Sequence, residues 1–228
     1  MYAPPRFQPD RAASLAFAAA RGFGVVCAYD GRKPIASPLP FSLDYASDGT
    51  PRVSFHVARF NAIAACADRS TPWLLAVAGA DAYASADWYA SPDQVPTWLY
   101  EVVHLTGPVN RMSERALAEH VDALSAELEG RLAPKRPWTS AKMTAGRLDA
   151  MKKGVIGLVM TVEQVEGSFK LNQHKSDVDH VAVSTAMALQ PAYGAQYIAQ
   201  RMREMRPQAF VTETSQMSDI AGLEGIER

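Results

Sequence analysis

The sequence has no surplus of positive charge. Its 228 residues include 23 Lys and Arg against 24 Asp and Glu, which gives a formal net charge of −1 at pH 7. Proteins that hold nucleic acid through its phosphates need a basic surface. The charge balance therefore gives no support to direct DNA binding.

Cysteine and long apolar runs are also scarce. The two cysteines, Cys27 and Cys66, stand apart in apolar segments without partners at zinc-ligand spacing. No stretch reaches the roughly 18–20 apolar residues of a membrane-spanning helix. The first ten residues lack the charged-then-apolar order of a secretory signal. We therefore expect a cytoplasmic protein with buried, reduced thiols and no membrane association.

Common catalytic motifs are missing as well. The chain contains no GxGxxG after a strand, no GKS or GKT phosphate loop, no HExxH and no GxSxG. These motifs are typical of dinucleotide-binding folds, phosphate-loop NTPases, zinc proteases and serine hydrolases. None of these four classes is supported by the sequence.

Apolar periodicity predicts a mainly antiparallel β structure with helices before, between and after its strands. Asp10 is the predicted N-cap of a helix that ends at Gly22, and Asp30-Gly31 suits the turn of a hairpin. Further strands are predicted at 51–58, 72–85, 97–112 and 155–171, and further helices at 62–70, 113–130, 141–154, 176–190 and 191–205.

Five or six strands in hairpin order, flanked by helices, favour a small antiparallel barrel. No repeat or low-complexity linker divides the chain, so one domain is predicted over residues 1–205. The remainder, 206–228, is polar and aperiodic. It is predicted to be a flexible tail.

The segment HVARFN, residues 56–61, is the most informative local pattern. Arg59 ends a predicted strand, and Asn61 caps the short helix that follows. Free N–H groups at a helix N-terminus attract phosphate, and an arginine adds a charge-assisted contact. The alternative is an ordinary surface arginine beside an ordinary cap.

Three other groups of side chains are candidates for binding. Aromatic residues are frequent between residues 83 and 100, where they could stack on a planar ligand. Protein cores and dimer interfaces are also rich in aromatic residues. In FKLNQHK, Lys170 and Gln173 could hold a phosphate or a polar ring edge, or they are solvated residues at a strand end. His56 and His104 are candidate acids, bases or haem ligands, or simply hydrogen-bonded histidines.

Several segments together carry a family resemblance over nearly the whole chain before the tail. They are MYAPPRF (1–7), PIASPLPF (34–41), HVARFN (56–61), YASADWY (83–89), VPTWLYEVVHLTG (95–107) and GSFKLNQHKS (167–176). In this order they resemble the PaiB-type FMN-binding negative transcriptional regulators. The resemblance implies an FMN-binding split β-barrel with flanking helices, and a homodimer with flavin at its interface.

Transferred by position, the resemblance also implies a cofactor site. Arg59 and Asn61 would hold the FMN phosphate. The ring system would lie near residues of the second strand and its surroundings, namely Ser37, Leu39, His56 and Trp98. Lys170 and Gln173 would approach the flavin from the late strand, either of this subunit or of the partner subunit.

The chain departs from the family pattern at three positions. Pro38 replaces a histidine, Leu99 an asparagine and Ala62 a proline. The expected function is FMN binding with a flavin-dependent redox activity, or a regulatory dimer in which flavin changes a protein partner interaction. The alternatives are a haem-binding or haem-degrading split barrel, with His56 or His104 as iron ligand, and a homologue that has lost flavin.

Overall fold

Eight β-strands form one sheet in the computed structural model, which describes residues 1–211. The strands are β1 (Phe23–Tyr29), β2 (Pro34–Tyr45), β3 (Pro51–Ala58), β4 (Trp73–Ala84), β5 (Thr97–Gly107), β6 (Val109–Arg111), β7 (Val155–Thr161) and β8 (Gln164–Lys170). Their order in the sheet is β6-β7-β3-β2-β1-β4-β5-β8. The β1–β2, β1–β4, β2–β3, β3–β7 and β6–β7 pairings are all antiparallel. The predicted antiparallel architecture is confirmed, with more strands than the five or six expected.

Helices flank the strands, and the predicted cap Asp10 is confirmed. The α-helices are α1 (Arg11–Arg21), α2 (Glu114–Gly130), α3 (Arg147–Lys152), α4 (Asp177–Ala188) and α5 (Tyr193–Met205), and 3-10 turns occupy Pro5–Phe7, Ala62–Cys66, Ala86–Trp88 and Ser140–Lys142. The side chains of Asp10, Ser113 and Ser176 each accept a hydrogen bond from a first-turn N–H. Gly22 ends α1 with φ of 58°, in the left-handed region that glycine tolerates. None of the helices in the described range is long and apolar enough to cross a membrane.

Two predicted strands are each divided in the structure. The run 97–112 breaks at Pro108, which separates β5 from β6 because proline has no N–H to donate to a strand ladder. The run 155–171 breaks after β7, where Val162 donates to the carbonyl of Pro51 and Glu163 to that of Thr106. These hydrogen bonds turn the chain away from β7.

The helix predicted over 141–154 was wrong for much of its length. The segment forms a 3-10 turn at Ser140–Lys142 and then the short α3. Gly146, with φ of 77°, starts α3 in a left-handed conformation. A continuous helix cannot pass through that conformation.

Contacts group the described residues into two compact units. Unit A consists of Met1–Pro9, Ala78–Val102 and the described part of Gly167–Arg228. Unit B consists of Asp10–Val77 and Val103–Glu166. In unit B the fully buried side chains come mainly from strands and include Phe41, Phe55, Trp73, Leu75 and Leu158. In unit A they include Leu99 and residues of α4 and α5, namely Met187, Ile198 and Met202.

The start of the predicted tail makes defined contacts. Arg206 donates hydrogen bonds to the carbonyls of Gln173 and Lys175 and forms an ion pair of 2.9 Å with Asp177. Residues 212–228 of the predicted tail lie outside the described residues.

Candidate functional site

Asn61 and Ser37 come together in unit B. The Asn61 side-chain nitrogen donates to Ser37 Oγ at 2.8 Å, and its oxygen accepts from the Ile63 N–H at 3.0 Å. Asn61 is therefore the helix cap that the sequence predicts, and it also ties the end of β3 to β2. Both side chains are half-buried.

Arg59 lies beside the start of β7. Its Nε donates to the carbonyl of Lys153 at 2.7 Å, and Nη2 lies 3.5 Å from the carbonyl oxygen of Val155. Within residues 1–211, Nη1 has no hydrogen-bond partner. The side chain is exposed, so it can still present N–H groups to an anion.

Two lysines join Arg59 on one groove. The groove, of about 330 Å³, is lined by Arg59, Lys152 and Lys153 together with the carboxylates of Glu114 and Asp149. Lys152 lies 3.8 Å from Asp149, which offsets part of its charge. The antiparallel register pairs Ala58 with Val155 and so brings these lysines to the arginine. No local signal in the sequence reveals this pairing.

The helix dipole contributes little at this position. The segment after Asn61 is a 3-10 helix of five residues, Ala62–Cys66. One of its first N–H groups, that of Ile63, is already bound by Asn61. Attraction for a phosphate therefore comes from the charges of the groove rather than from the helix terminus that the sequence suggested.

Leu39 and His56 lie on opposite faces of the sheet. Leu39 is 4% exposed and shares its face with Phe41, which pairs directly with Phe55. His56 follows Phe55 in β3, and successive side chains of a strand alternate between faces. Leu39 can therefore offer only its backbone to a ligand, whereas His56 lies under α2.

His56 is hydrogen-bonded to a second histidine. Its Nδ1 lies 3.3 Å from Nε2 of His120 in α2. Burial lowers the pKa of His56. Burial, and then the charge of His56, lowers the pKa of His120 to about 4, against an opposing effect of Asp44. Both imidazoles are therefore neutral at pH 7.

The remaining predicted site residues lie in unit A. Trp98 is 54% exposed and packs edge-to-face on Tyr83, with 6.3 Å between ring centres. Lys170 donates to the Thr97 hydroxyl. Gln173 accepts from the Leu171 N–H and donates to a backbone carbonyl, so its amide stabilises the turn after β8. Trp98 and Lys170 remain able to meet a ligand.

Metal-ligating residues are dispersed. Among the described residues there is no group of three or more His, Cys, Asp or Glu side chains that could hold a metal ion. His104 is half-buried in β5, and burial lowers its pKa. Both cysteines are free thiols; Cys66 is buried and Cys27 is partly exposed.

One sheet face of unit B is apolar and exposed. It is formed by alternate residues of β1 and by the residues of β2 and β4 that pair with them, namely Phe23, Val25, Cys27, Tyr29, Pro34, Ala36, Pro38, Pro40, Leu74 and Ala76. Phe23, Val25 and Tyr29 are 46%, 37% and 49% exposed. An antiparallel sheet that faces water normally alternates polar with apolar residues. This surface, called the β1 face below, has no charged side chain.

Sequence comparison identifies similar proteins over most of the chain. The profile of the family described as "Putative FMN-binding domain" matches residues 1–164. The "Protease synthase and sporulation protein PAI 2" of Bacillus subtilis is 27% identical over 208 residues, which are 90% of this chain and 97% of that protein.

Solved structures show the same fold at low sequence identity. A conserved hypothetical protein from Mycobacterium tuberculosis superposes with a TM-score of 0.54 and 11% identity, over 77% of this chain and 94% of that one. The "FAD and Heme binding protein" from Mycobacterium smegmatis superposes with a TM-score of 0.51 and 17% identity, over 72% and 73% of the two chains. The predicted split-barrel fold with flanking helices is thereby confirmed.

Proposed function

Because this chain belongs to the PaiB-type family of FMN-binding domains, we propose that it is a flavoprotein that binds FMN as a homodimer. The observation that carries the proposal is the groove at the end of β3. There Arg59 lies with Lys152 and Lys153. Two residues further along the chain, Asn61 is hydrogen-bonded to Ser37 of β2.

The charges of this groove suit a terminal phosphate. FMN ends in a phosphate monoester, and an arginine can bind two of its oxygens at once. Arg59 Nη1 supplies the donors, and the two lysines supply further positive charge. Glu114 and Asp149 leave the groove with a small net positive charge, which favours an anion without requiring a polyanion. The family relationship supports FMN over another phosphate ester.

A second copy of this chain is the proposed occupant of the β1 face. In a two-fold dimer the same patch meets itself, so an apolar face on one protomer is covered by the same face of its partner. Stable interfaces bury about 800 Å² per partner. Phe23, Val25 and Tyr29 are the large side chains that would supply this contact.

The proposed activity follows from what the cofactor and the chain each contribute. Bound FMN supplies electron-transfer chemistry, while the protein binds and orients it. We propose a flavin-dependent redox or regulatory role, with any regulatory output passing through a protein partner. The net charge of −1 does not favour direct contact with DNA.

Flavin titration tests the cofactor site. FMN fluorescence is followed as full-length protein is added, for the wild type, Arg59→Ala and the control Arg69→Ala. Arg69 is also exposed and also donates to a backbone carbonyl, but it does not line the groove. We expect saturable binding by the wild type and Arg69→Ala, and at least about tenfold weaker binding by Arg59→Ala, since charge-assisted hydrogen bonds contribute about 1.5–3 kcal/mol.

Three results would contradict the proposal, the first two in whole and the third for the role of Arg59. A wild type that does not bind FMN would identify a homologue that has lost the cofactor. An absorption spectrum of the purified protein with a Soret band and no flavin bands would favour the haem alternative. Equal weakening in both arginine variants would show a general charge effect and remove Arg59 from the site.

A further inference from the structure

A second cavity lies wholly within unit A. It has a volume of about 220 Å³, and its lining includes Arg6, Phe7, Tyr89, Lys170, Asn172 and Lys175. The N-terminal 3-10 turn supplies the first two of these residues. The end of β8 and the loop before α4 supply the last three.

Three positive charges share this cavity without a carboxylate partner. Across residues 1–211, Arg6, Lys170 and Lys175 form no ion pair. Lys170 donates to the Thr97 hydroxyl, and Lys175 donates to Gln94 Oε1 at 2.5 Å while its ammonium lies 5.0 Å from the Tyr89 ring centre. Like charges held together repel each other, and an anion between them would relieve the repulsion.

Two neighbouring carboxylates interact with groups other than these three cations. Asp177 pairs with Arg206 at 2.9 Å. Asp179 accepts hydrogen bonds from Ser91 and Ser176. Neither of these two carboxylates pairs with Arg6, Lys170 or Lys175.

His174 lies in the same positive electrostatic field. It lines the cavity and packs edge-to-face on Phe7, with 5.4 Å between ring centres. Its pKa is lowered first by burial and then by four positive charges, those of Lys175, Arg6, Lys170 and Arg206.

Asn172 adds a buried donor for which residues 1–211 supply no acceptor. Its side chain is fully buried, and its oxygen accepts from the Tyr89 hydroxyl at 3.2 Å. Among the described residues, the amide nitrogen has no hydrogen-bond partner. Nearly all buried donors in proteins have an acceptor, and those that lack one require an explanation such as a missing ligand.

The size and walls of the cavity limit what it can hold. A volume of about 220 Å³ corresponds to roughly seven water molecules at ~30 Å³ each. Pockets for drug-sized ligands are larger, at about 300–1,000 Å³, so the cavity is too small for a whole flavin. Phe7, Tyr89 and Val95 supply an apolar wall.

We infer that this cavity binds a small oxyanion, a carboxylate or a phosphate, attached to a short apolar or aromatic group. The three cations neutralise the oxyanion, and Asn172 donates to it. Phe7 and Tyr89 contact the apolar part. The inference does not rest on FMN binding, because none of these groups lines the groove of Arg59. It reassigns Lys170, which the family resemblance places near the flavin, to this separate cavity.

Calorimetric titration of the full-length protein tests the inference. The probes are inorganic phosphate and benzoate, each added at constant ionic strength. We expect saturable binding of at least one probe, and the preferred probe distinguishes a phosphate from a carboxylate ligand. Lys170→Gln and Lys175→Gln should each weaken binding at least about tenfold, since each removes a charged donor. The control Lys33→Gln removes the same charge from an exposed loop and should leave binding unchanged.

The outcomes separate this inference from the proposed flavin site. Arg59→Ala should retain probe binding even where it loses FMN. Failure of both probes to bind the wild type would overturn the inference, as would equal weakening in Lys33→Gln. Loss of probe binding in saturating FMN, together with weaker FMN binding by Lys170→Gln, would make the cavity part of the flavin site and would also overturn it.

Discussion

At the scale of single residues, the pair of His56 and His120 sets a pH dependence of stability. The pKa of His120 is about 4 in the folded protein and about 6.5 when unfolded. The unfolded chain therefore binds more protons between these two values, and the free energy of unfolding rises with pH across this window. The contribution is complete above pH 6.5 and amounts to at most roughly 3 kcal/mol.

Urea unfolding at pH 4.5, 5.5 and 7.5 measures this effect. We expect the wild type to lose stability as pH falls through the window and His120→Gln to lose distinctly less. Two charged groups also face His120, namely Asp44 from β2 and Arg52 from β3. They pair with each other, with 2.9 Å between Arg52 Nε and Asp44 Oδ1. The control His174→Gln removes an exposed histidine of unit A and should keep the wild-type slope more closely. Identical slopes in the wild type and His120→Gln would contradict the prediction.

Local residues were predictable where their partners are close in sequence. Asp10 and Asn61 were identified as caps because a cap binds an N–H group two or three residues ahead. His120, in contrast, is 64 residues from His56, and no sequence pattern indicates that they meet.

At the scale of elements, Gly107 allows β5 to end against the last residue of β7. A Cβ at this position would lie 1.8 Å from the carbonyl oxygen of Thr161, which is backbone and cannot move aside easily. Gly107→Ala should therefore lower the free energy of unfolding by about 3 kcal/mol, at the upper end of ordinary overpacking.

Gly130→Ala provides the matched control. A Cβ at Gly130 meets nothing within 4 Å, and this residue ends α2. The same glycine-to-alanine change should be neutral or stabilising by less than about 1 kcal/mol. Denaturant unfolding of the two variants checks the difference, and a Gly107→Ala variant as stable as wild type would refute it.

Strand positions were mostly predicted, but strand partners were not. Alternation located β3 with both its ends, and a nearly continuous apolar run located β4 to within a residue at each end. The β3–β7 pairing joins segments about a hundred residues apart, and local periodicity carries no information about such a pairing. The position of Lys152 and Lys153 beside Arg59 depends on that pairing, so this part of the candidate site could not be predicted.

At the scale of the whole molecule, the β1 face should control association. Light scattering after size exclusion should give the wild type a mass of about twice 24.8 kDa. Val25→Glu places a charge in the centre of the β1 face and should shift the protein to monomer, because burying an unpaired charge is costly. Val178→Glu is the control, since Val178 is 67% exposed on α4 in unit A. A monomeric wild type, or equal dissociation of both variants, would contradict the prediction.

The β3–β7 pairing also has a consequence for how the chain folds. The β1–β2 hairpin closes over a short turn, whereas β7 must return across about a hundred residues before it can pair with β3. Long-range pairing of this kind slows folding, because chain entropy is lost before any contact compensates for it. Until β7 docks, that edge of β3 has unpaired N–H and C=O groups next to apolar side chains. During synthesis and refolding, this edge is open to pairing with another molecule and to aggregation.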